Sequence, residues 1–381
     1  MAGTTLGSVL SLCKYGSLVG AKTFIVCFNK EFCSYYRFSK YVSATYYSDK
    51  DNLYSTCCNI IEIHQLENKP LLYATTDEYC ILINQYRELF SSAVELCIPS
   101  ANIIERFCNK EYAAKEATLN GLTVPRSIVI KSLEELNTIE SDFNFPVVIK
   151  PVSSELRDLV GYKFRIVNRT EFEYEKSELM SLYNNVLCQE YIPGLDKDYV
   201  FYVFYRNERG DIVECIGEKT LQINGIMTIG TTCSDKILKE ISRTFLAKIN
   251  YVGIGGIEFK KYKGKYYFIE MSTRTEGFLP ISDMAGVSCA VASHNWNFFK
   301  NNTFKEKQQL NGVRYVAGVS TLLYFIKTKR FISIIKLLKN IIFDKHLYVV
   351  EMFIGGRPFL AFITCSIRNR INRFFAVGKV W

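Results

Sequence analysis

Residues 267–277 read YFIEMSTRTEG, and this stretch decides the fold. Tyr267-Phe268-Ile269 is an apolar, strand-forming run that delivers Glu270. Side chains alternate along a strand, so Glu270, Ser272 and Arg274 are expected on one face. An isolated carboxylate four residues before an arginine is most often a weak surface ion pair. The upstream residues change that reading. Residues 252–274, VGIGGIEFKKYKGKYYFIEMSTR, read as two antiparallel strands, 255–260 and 265–271, joined by a Lys-Gly turn. Glu258 lies between Ile257 and Phe259 on the first strand. In a regular hairpin Glu258 and Glu270 fall close together. Two carboxylates held together repel unless a cation sits between them. Hard oxygen ligands of this kind suit Mg2+, which takes one or two carboxylates and completes its shell with water and phosphate.

The 381 residues are long enough for two or three domains with a large core. Hydrophobic residues make up 48% and charged ones 22%, which places the chain among globular rather than disordered proteins. The 13 cysteines form no C-x-x-C pair, so reduced, buried thiols in the cytoplasm are expected rather than a disulfide framework. Three histidines, His64, His294 and His346, stand in unrelated contexts and argue against zinc. No signal-peptide pattern and no uncharged run of spanning length is found. The net charge of +9 is unevenly placed: from Thr303 onward there are 14 Lys/Arg against 3 Asp/Glu, and the rest carries 33 against 35. A local anionic partner, not a nucleic acid, is the expectation.

Along the chain, residues 1–100 alternate helical and strand-like patterns, with strands expected at 23–29 and 70–79, which implies a parallel α/β sheet. A helix is expected over 105–121. FPVVIKPV (145–152) and VLCQEYIPG (186–194) read as strands, and 198–222 as two antiparallel strands around an Arg-Gly-Asp turn. Residues 235–250 and 281–300 read as helices.

Lys110, then VVIKP, QEYIPG, GIEF and IEMSTR follow one another in an order that resembles the ATP-grasp superfamily. Within it the likeness is to carboxylate–amine ligases related to carbamoyl-phosphate synthase and the D-aspartate ligases. The resemblance covers roughly residues 1–300. It implies an α/β fold, α+β in its lid, with a Rossmann-like preATP-grasp domain at 1–105. The ATP-grasp domain would occupy 106–300, with the lid at about 125–193 and the metal-site subdomain at about 194–300. A basic C-terminal extension, 301–381, would follow. ATP would lie between two antiparallel sheets, with Mg2+ or Mn2+.

The resemblance also implies residue roles. Lys110 and Lys150 match the lysines that meet the phosphates, where an ammonium acts as a compact point charge. QEYIPG matches the adenine hinge: the backbone at Tyr191 and Ile192 would bond the base edge, helped by Gln189 or Glu190. Asp196 or Asp198 would take the ribose hydroxyls. Glu258 and Glu270 match the metal carboxylates, Arg274 the arginine that steadies the transferred phosphate, and Lys219 a basic position nearby. The chain departs from the family pattern in three places. Ser272 stands where the family usually has Asn. The lid, SSELRDLVGYK, lacks the usual glycine-rich loop, so Ser153–Ser154 amides and Lys163 are expected to replace it. The strand that usually precedes the first helix, TLGSVLSL, is expected to be missing.

The activity so implied is phosphorylation of a carboxylate by ATP and capture of the acyl phosphate by an amine. The carboxylate is expected to be an amino acid or a glycan uronic acid. Carboxylation, phosphorylation, or nucleotide binding without turnover are the alternatives. In the C-terminal part, Phe331, Ile334, Ile335, Leu338, Ile341 and Ile342 fall at helical spacing, with Lys336, Lys339 and Asn340 off the stripe. One reading is a helix packed on the catalytic body with a basic outer face. The other is peripheral contact with an anionic membrane at its inner face, aided by SIRNRINRFF (366–375).

Overall fold

The computed structural model describes residues 2–299, 307–353 and 355. The segment 366–375 lies outside the described residues. The first part alternates α1 (Ala2–Leu18), β1 (Phe24–Cys27), α2 (Lys30–Tyr36), β2 (Ala44–Tyr47) and α3 (Leu53–Ile63). β1 and β2 pair in parallel, as do β3 (Leu71–Leu72) and β4 (Glu95–Leu96). Between β3 and β4 lie α4 (Asp77–Gln85) and α5 (Arg87–Ala93). The strand expected over 70–79 is cut short because Thr76 caps a helix. Its side chain accepts the Tyr79 N–H, and Asp77 and Glu78 fill the first turn, where the helix dipole favours acids.

The single helix expected over 105–121 is two helices, α6 (Ala101–Phe107) and α7 (Lys110–Leu119). Asn109 breaks the run: its side chain accepts the N–H groups of Glu111 and Tyr112, which makes Lys110 the first helical residue. The Lys110 N–H donates to the Val152 carbonyl (2.8 Å), tying α7 to the next unit.

That unit is a four-stranded antiparallel sheet of order β5-β8-β6-β7, made of β5 (Ser127–Val129), β6 (Val147–Pro151), β7 (Arg165–Val167) and β8 (Val186–Glu190). Helices α8 (Leu133–Asp142) and α10 (Arg169–Ser181) cover it, and Leu136, Ile139, Val147, Ile149 and Phe172 form its core. The short α9 (Arg157–Val160) sits in the β6–β7 connection and ends at Gly161, whose left-handed φ of 84° suits glycine.

The larger sheet has seven strands in the order β13-β12-β9-β10-β11-β14-β15. Its members are β9 (Tyr199–Arg206), β10 (Ile212–Ile223), β11 (Ile226–Thr232), β12 (Gly253–Tyr262), β13 (Lys265–Ser272), β14 (Arg314–Val316) and β15 (Leu347–Val349). Central strand β9 is apolar on both faces. Phe201, Val203 and Tyr205 face a core shared with α1, α12 (Pro280–Met284) and α13 (Cys289–Phe299). Val200, Tyr202 and Phe204 face the core under α11 (Lys236–Lys248). The 281–300 helix is thus two helices, interrupted at Gly286, which has a φ of 80°.

Strands β14 and β15, expected in a separate extension, complete this sheet. They pair in parallel, and α14 (Gly318–Lys327) and α15 (Phe331–Phe343) make the crossover. α16 (Val350–Phe353) follows, and its Glu351 carboxylate accepts the Gly318 and Val319 N–H groups at the start of α14.

Candidate functional site

Glu258 on β12 stands directly opposite Glu270 on β13, and Gly256 opposite Ser272. The register slips after Glu258, where Phe259 pairs with Phe268 and leaves Ile269 as the extra residue of a bulge. Bulges re-aim side chains at sites of this kind. The hairpin forms one wall of a cleft of about 1070 Å³ between the two sheets. Fourteen of the sixteen candidate residues line it; Asp198 and Ser153 do not. A second cleft of about 680 Å³, beside α7 and β5, is lined by neither glutamate.

Four lysines surround the carboxylates. Lys219, from β10, is fully buried and donates to Glu258 (2.5 Å) and to Gln222 (3.4 Å). Lys150, buried at the end of β6, donates to Gln189 (2.9 Å). Burial and the neighbouring Lys110 push the Lys150 amine down to about 8. Burial also lowers Lys110, against the pull of Glu270 and Asp77. The carboxylates diverge in response. Burial raises Glu258 despite Lys219. For Glu270 burial acts upward too, but Lys163, Lys110, Lys219 and Lys150 together hold it below the usual carboxylate range.

At the hinge, Gln189, Glu190, Tyr191 and Ile192 follow one another along the cleft. Of the two aspartates, Asp196 faces it and accepts the Gln222 N–H (2.9 Å). Asp198 turns back instead, accepting the Leu195 N–H (2.6 Å) and capping a 3-10 turn at Asp196–Asp198. Of the two candidates for the ribose hydroxyls, therefore, only Asp196 faces the cleft.

The lid segment crosses to the larger sheet. Lys163 donates to the Gly225 carbonyl (2.9 Å), and Phe164 packs over Gly225, where an added Cβ would lie 2.6 Å from the ring. Gly225 has a φ of 71° at the β10–β11 turn, so both conformation and space call for glycine there. Ser154, Arg157 and Lys163 line the cleft, whereas Ser153 does not. Ser153 instead forms an isolated antiparallel bridge to Asn109.

Residues 115–277 match the family profile of the ATP-grasp domain. The chain carries an ATP-grasp domain. Its fold is similar to the biotin carboxylase domain of Hydrogenobacter thermophilus 2-oxoglutarate carboxylase, solved with MgADP, ADP and bicarbonate. That pair shares 15% identity, covers 80% of this chain and 70% of the other, and has a TM-score of 0.63. Campylobacter jejuni biotin carboxylase, solved in a β,γ-ATP complex, has 17% identity, 76% and 68% coverage and a TM-score of 0.61. Thermus thermophilus N5-carboxyaminoimidazole ribonucleotide synthetase has 16% identity, 77% and 76% coverage and a TM-score of 0.60. At these identities the likeness is one of fold. No curated protein sequence matches this one.

The ATP-grasp cleft also holds groups that sequence reasoning passed over. Arg274 donates through Nε to Asp77 (2.9 Å) and through Nη1 to Glu276 (3.3 Å). Burial alone would lower the guanidinium, but Asp77 and Glu276 raise it above its ordinary value. Burial would raise Asp77, yet Arg274 and Ser154 keep it low. Asp77 opens α4, 197 positions before Arg274, so only the fold brings them together. The one sequence signal was an acid directly after Thr76 in a polar run. Glu276 was visible as a second acid beside Arg274 but had no assigned partner. None of the three histidines lines this cleft; His64 meets the Tyr46 hydroxyl, and His294 meets Leu12 and Tyr73.

The donor set fits Mg2+. Glu258 and Glu270 supply two hard oxygen ligands across a strand pair, and the buried Ser272 opens onto the same cleft. Four lysines nearby complement the remaining charge of a triphosphate. No described helix is long and apolar enough to cross a membrane.

Proposed function

We propose that this chain is an ATP-dependent carboxylate–amine ligase. The observation that carries the reading is the convergence of opposed Glu258 and Glu270 with Lys110, Lys150, Lys219 and Arg274 in one cleft. No side-chain nucleophile is needed. A substrate carboxylate oxygen bonds to the γ-phosphorus as the bond to ADP breaks, and ADP leaves with the electron pair. An amine then bonds to the acyl carbon, the carbon–oxygen bond to phosphate breaks, and phosphate leaves with the amine's proton. Lys110 and Lys150 orient the phosphates, Lys219 holds Glu258 in place, and Arg274 meets the charge that develops on the transferred group. Mg2+, held by Glu258, Glu270 and the Ser272 hydroxyl, would neutralise the phosphate oxygens when bound. Asp196 takes the ribose, and the hinge backbone at Tyr191 and Ile192 takes the adenine.

In this reading the carboxylate is an amino acid or a glycan uronic acid. The enzyme works in the cytoplasm, at the inner face of the membrane. Carboxylation is the second reading, favoured by the bicarbonate and MgADP in the Hydrogenobacter relative. Bicarbonate then takes the place of the carboxylate, with the same bonds broken.

Phosphate release from ATP, measured over a panel of amino acids, uronic acids and bicarbonate with and without amines, tests the proposal. A ligase releases phosphate only with both co-substrates and yields an amide by mass. Release that needs bicarbonate selects carboxylation. A stable phosphorylated product formed without an amine, or no release with any pair, overturns both readings.

A further inference from the structure

Helix α15 is apolar on two sides. Ile334, Leu337 and Ile341 face inward and pack with Phe325 of α14 against Val316, Ile229 and Leu347 of the sheet. Phe331, Ile332, Ile335, Leu338, Ile342 and Phe343 face outward, 51–75% exposed. On α14, Leu322, Leu323 and Ile326 are also exposed, at 37–50%. An apolar patch of this extent marks an interaction site. From Gly318 to Phe343 there is no acidic residue, while Lys327, Lys329, Arg330, Lys336 and Lys339 are all exposed.

We propose that the α14–α15 hairpin docks peripherally on an anionic bilayer, its outer apolar face entering the headgroup boundary and its cations meeting lipid phosphates. The inference deepens the membrane-face part of the reading above and is independent of the ligase chemistry. Charge complementarity selects the occupant. The tail 356–381 holds five Lys/Arg and no Asp/Glu, so it would bring like charge to the patch. A second copy would do the same. A bilayer with anionic headgroups offers opposite charge outside and an apolar interior beneath, which a basic amphipathic helix exploits. α14 starts at the cleft wall, where Tyr315, Ala317 and Ser320 line the site. Its ten residues span about 15 Å, so docking holds the site close to the lipid surface. A carboxylate or amine substrate carried on a lipid is thereby within reach.

Cosedimentation of the full chain with phosphatidylcholine vesicles, and with vesicles that also contain phosphatidylglycerol, tests this across a salt series. Binding is expected on the anionic vesicles and is expected to fade with salt. Each single change of Lys327, Lys329, Arg330, Lys336 or Lys339 to Gln should lower partitioning roughly fivefold. Ile335→Ser with Leu338→Ser, both at exposed positions, should abolish binding while circular dichroism stays unchanged. Equal, negligible binding to both vesicle types overturns the proposal. Maleimide labelling of Ile335→Cys without lipid, mapped by peptide mass, identifies any other occupant. Protection at all concentrations assigns the face to the tail, and protection that grows with concentration assigns it to a second copy. Either result overturns bilayer docking. No arm measures turnover, so failure here and failure of the ligase reading are separate events.

Discussion

Glu258 faces Glu270 across the β12–β13 pair, yet the two carboxylates are opposites electrically: Glu258 is raised by burial, and Glu270 is held low by lysines. Only Glu258 has a buried partner of its own, Lys219 at 2.5 Å. Both Glu258→Gln and Glu270→Gln are expected to abolish ATP turnover. Both should also lower stability. Glu258→Gln leaves Lys219 buried without its counter-charge, a loss of about 3 kcal/mol or more. Glu270→Gln removes the charge that Lys163, Lys110, Lys219 and Lys150 hold ionised, so it too should unfold more easily than wild type. Denaturant titration alongside the rate assay checks both halves, and wild-type rates in either variant reject the metal-site assignment.

Ser272 is shorter than the amide the family usually places there. Ser272→Asn is expected to lower the Mg2+ concentration needed for half-maximal turnover or leave it unchanged. A Mg2+ titration of the rate decides, and a severe loss of activity would show that the hydroxyl has a separate role.

Lys150 is held down to about 8 by burial and by Lys110. A bound phosphate favours its charged form. Nucleotide binding should therefore take up a proton above about pH 8, and not on account of this group near pH 6. Calorimetry in two buffers of different ionisation enthalpy reads the uptake, and Lys150→Met should remove it. In the free protein the unfolded chain binds this proton more tightly between about 8 and 10.5. This group's contribution to stability therefore rises with pH across that window.

Asp77 positions Arg274 from outside the ATP-grasp domain. Asp77→Asn keeps the shape but removes the charge-assisted bond, and roughly a tenfold loss in kcat is expected from its usual worth. KM for ATP should change little, because Asp77 is not among the groups assigned to ATP. A rise in KM with kcat intact would move Asp77 to a substrate-binding role.

The hairpin was legible because its signals agree. Apolar alternation, the Lys263-Gly264 turn and two carboxylates all point to one geometry. Lys110 and Lys150 were legible through the order of motifs; that Lys110 opens a helix was not, because the Asn109 cap splits the helix expected over 105–121. The failures are also physical. Leu71 and Leu72 begin a strand, but the Thr76 cap ends it, and local capping outweighs a weak strand pattern. Asp198 and Asp196 look alike in sequence, and only the tight turn at Leu195 turns one of them away. The apolar stripe of α15 read as one face. In the fold it divides, with Ile334 and Ile341 inward and Phe331, Ile335, Leu338 and Ile342 outward. No helical-spacing argument could assign those sides without knowing where the sheet lies. Asp77 and Arg274 meet only through tertiary structure.

The seating of Lys163 and Phe164 on Gly225 bears on the rhythm of catalysis. Lys163 and Phe164 line the same cleft as Gln189–Ile192, so a nucleotide held there would be expected to leave only after the strap lifts. The expectation is that departure rather than bond-making would set the pace, with a first turnover faster than later ones. Phe164→Ala, which keeps every charged group of the cleft, should shrink that initial burst in rapid-quench traces while quickening the steady phase.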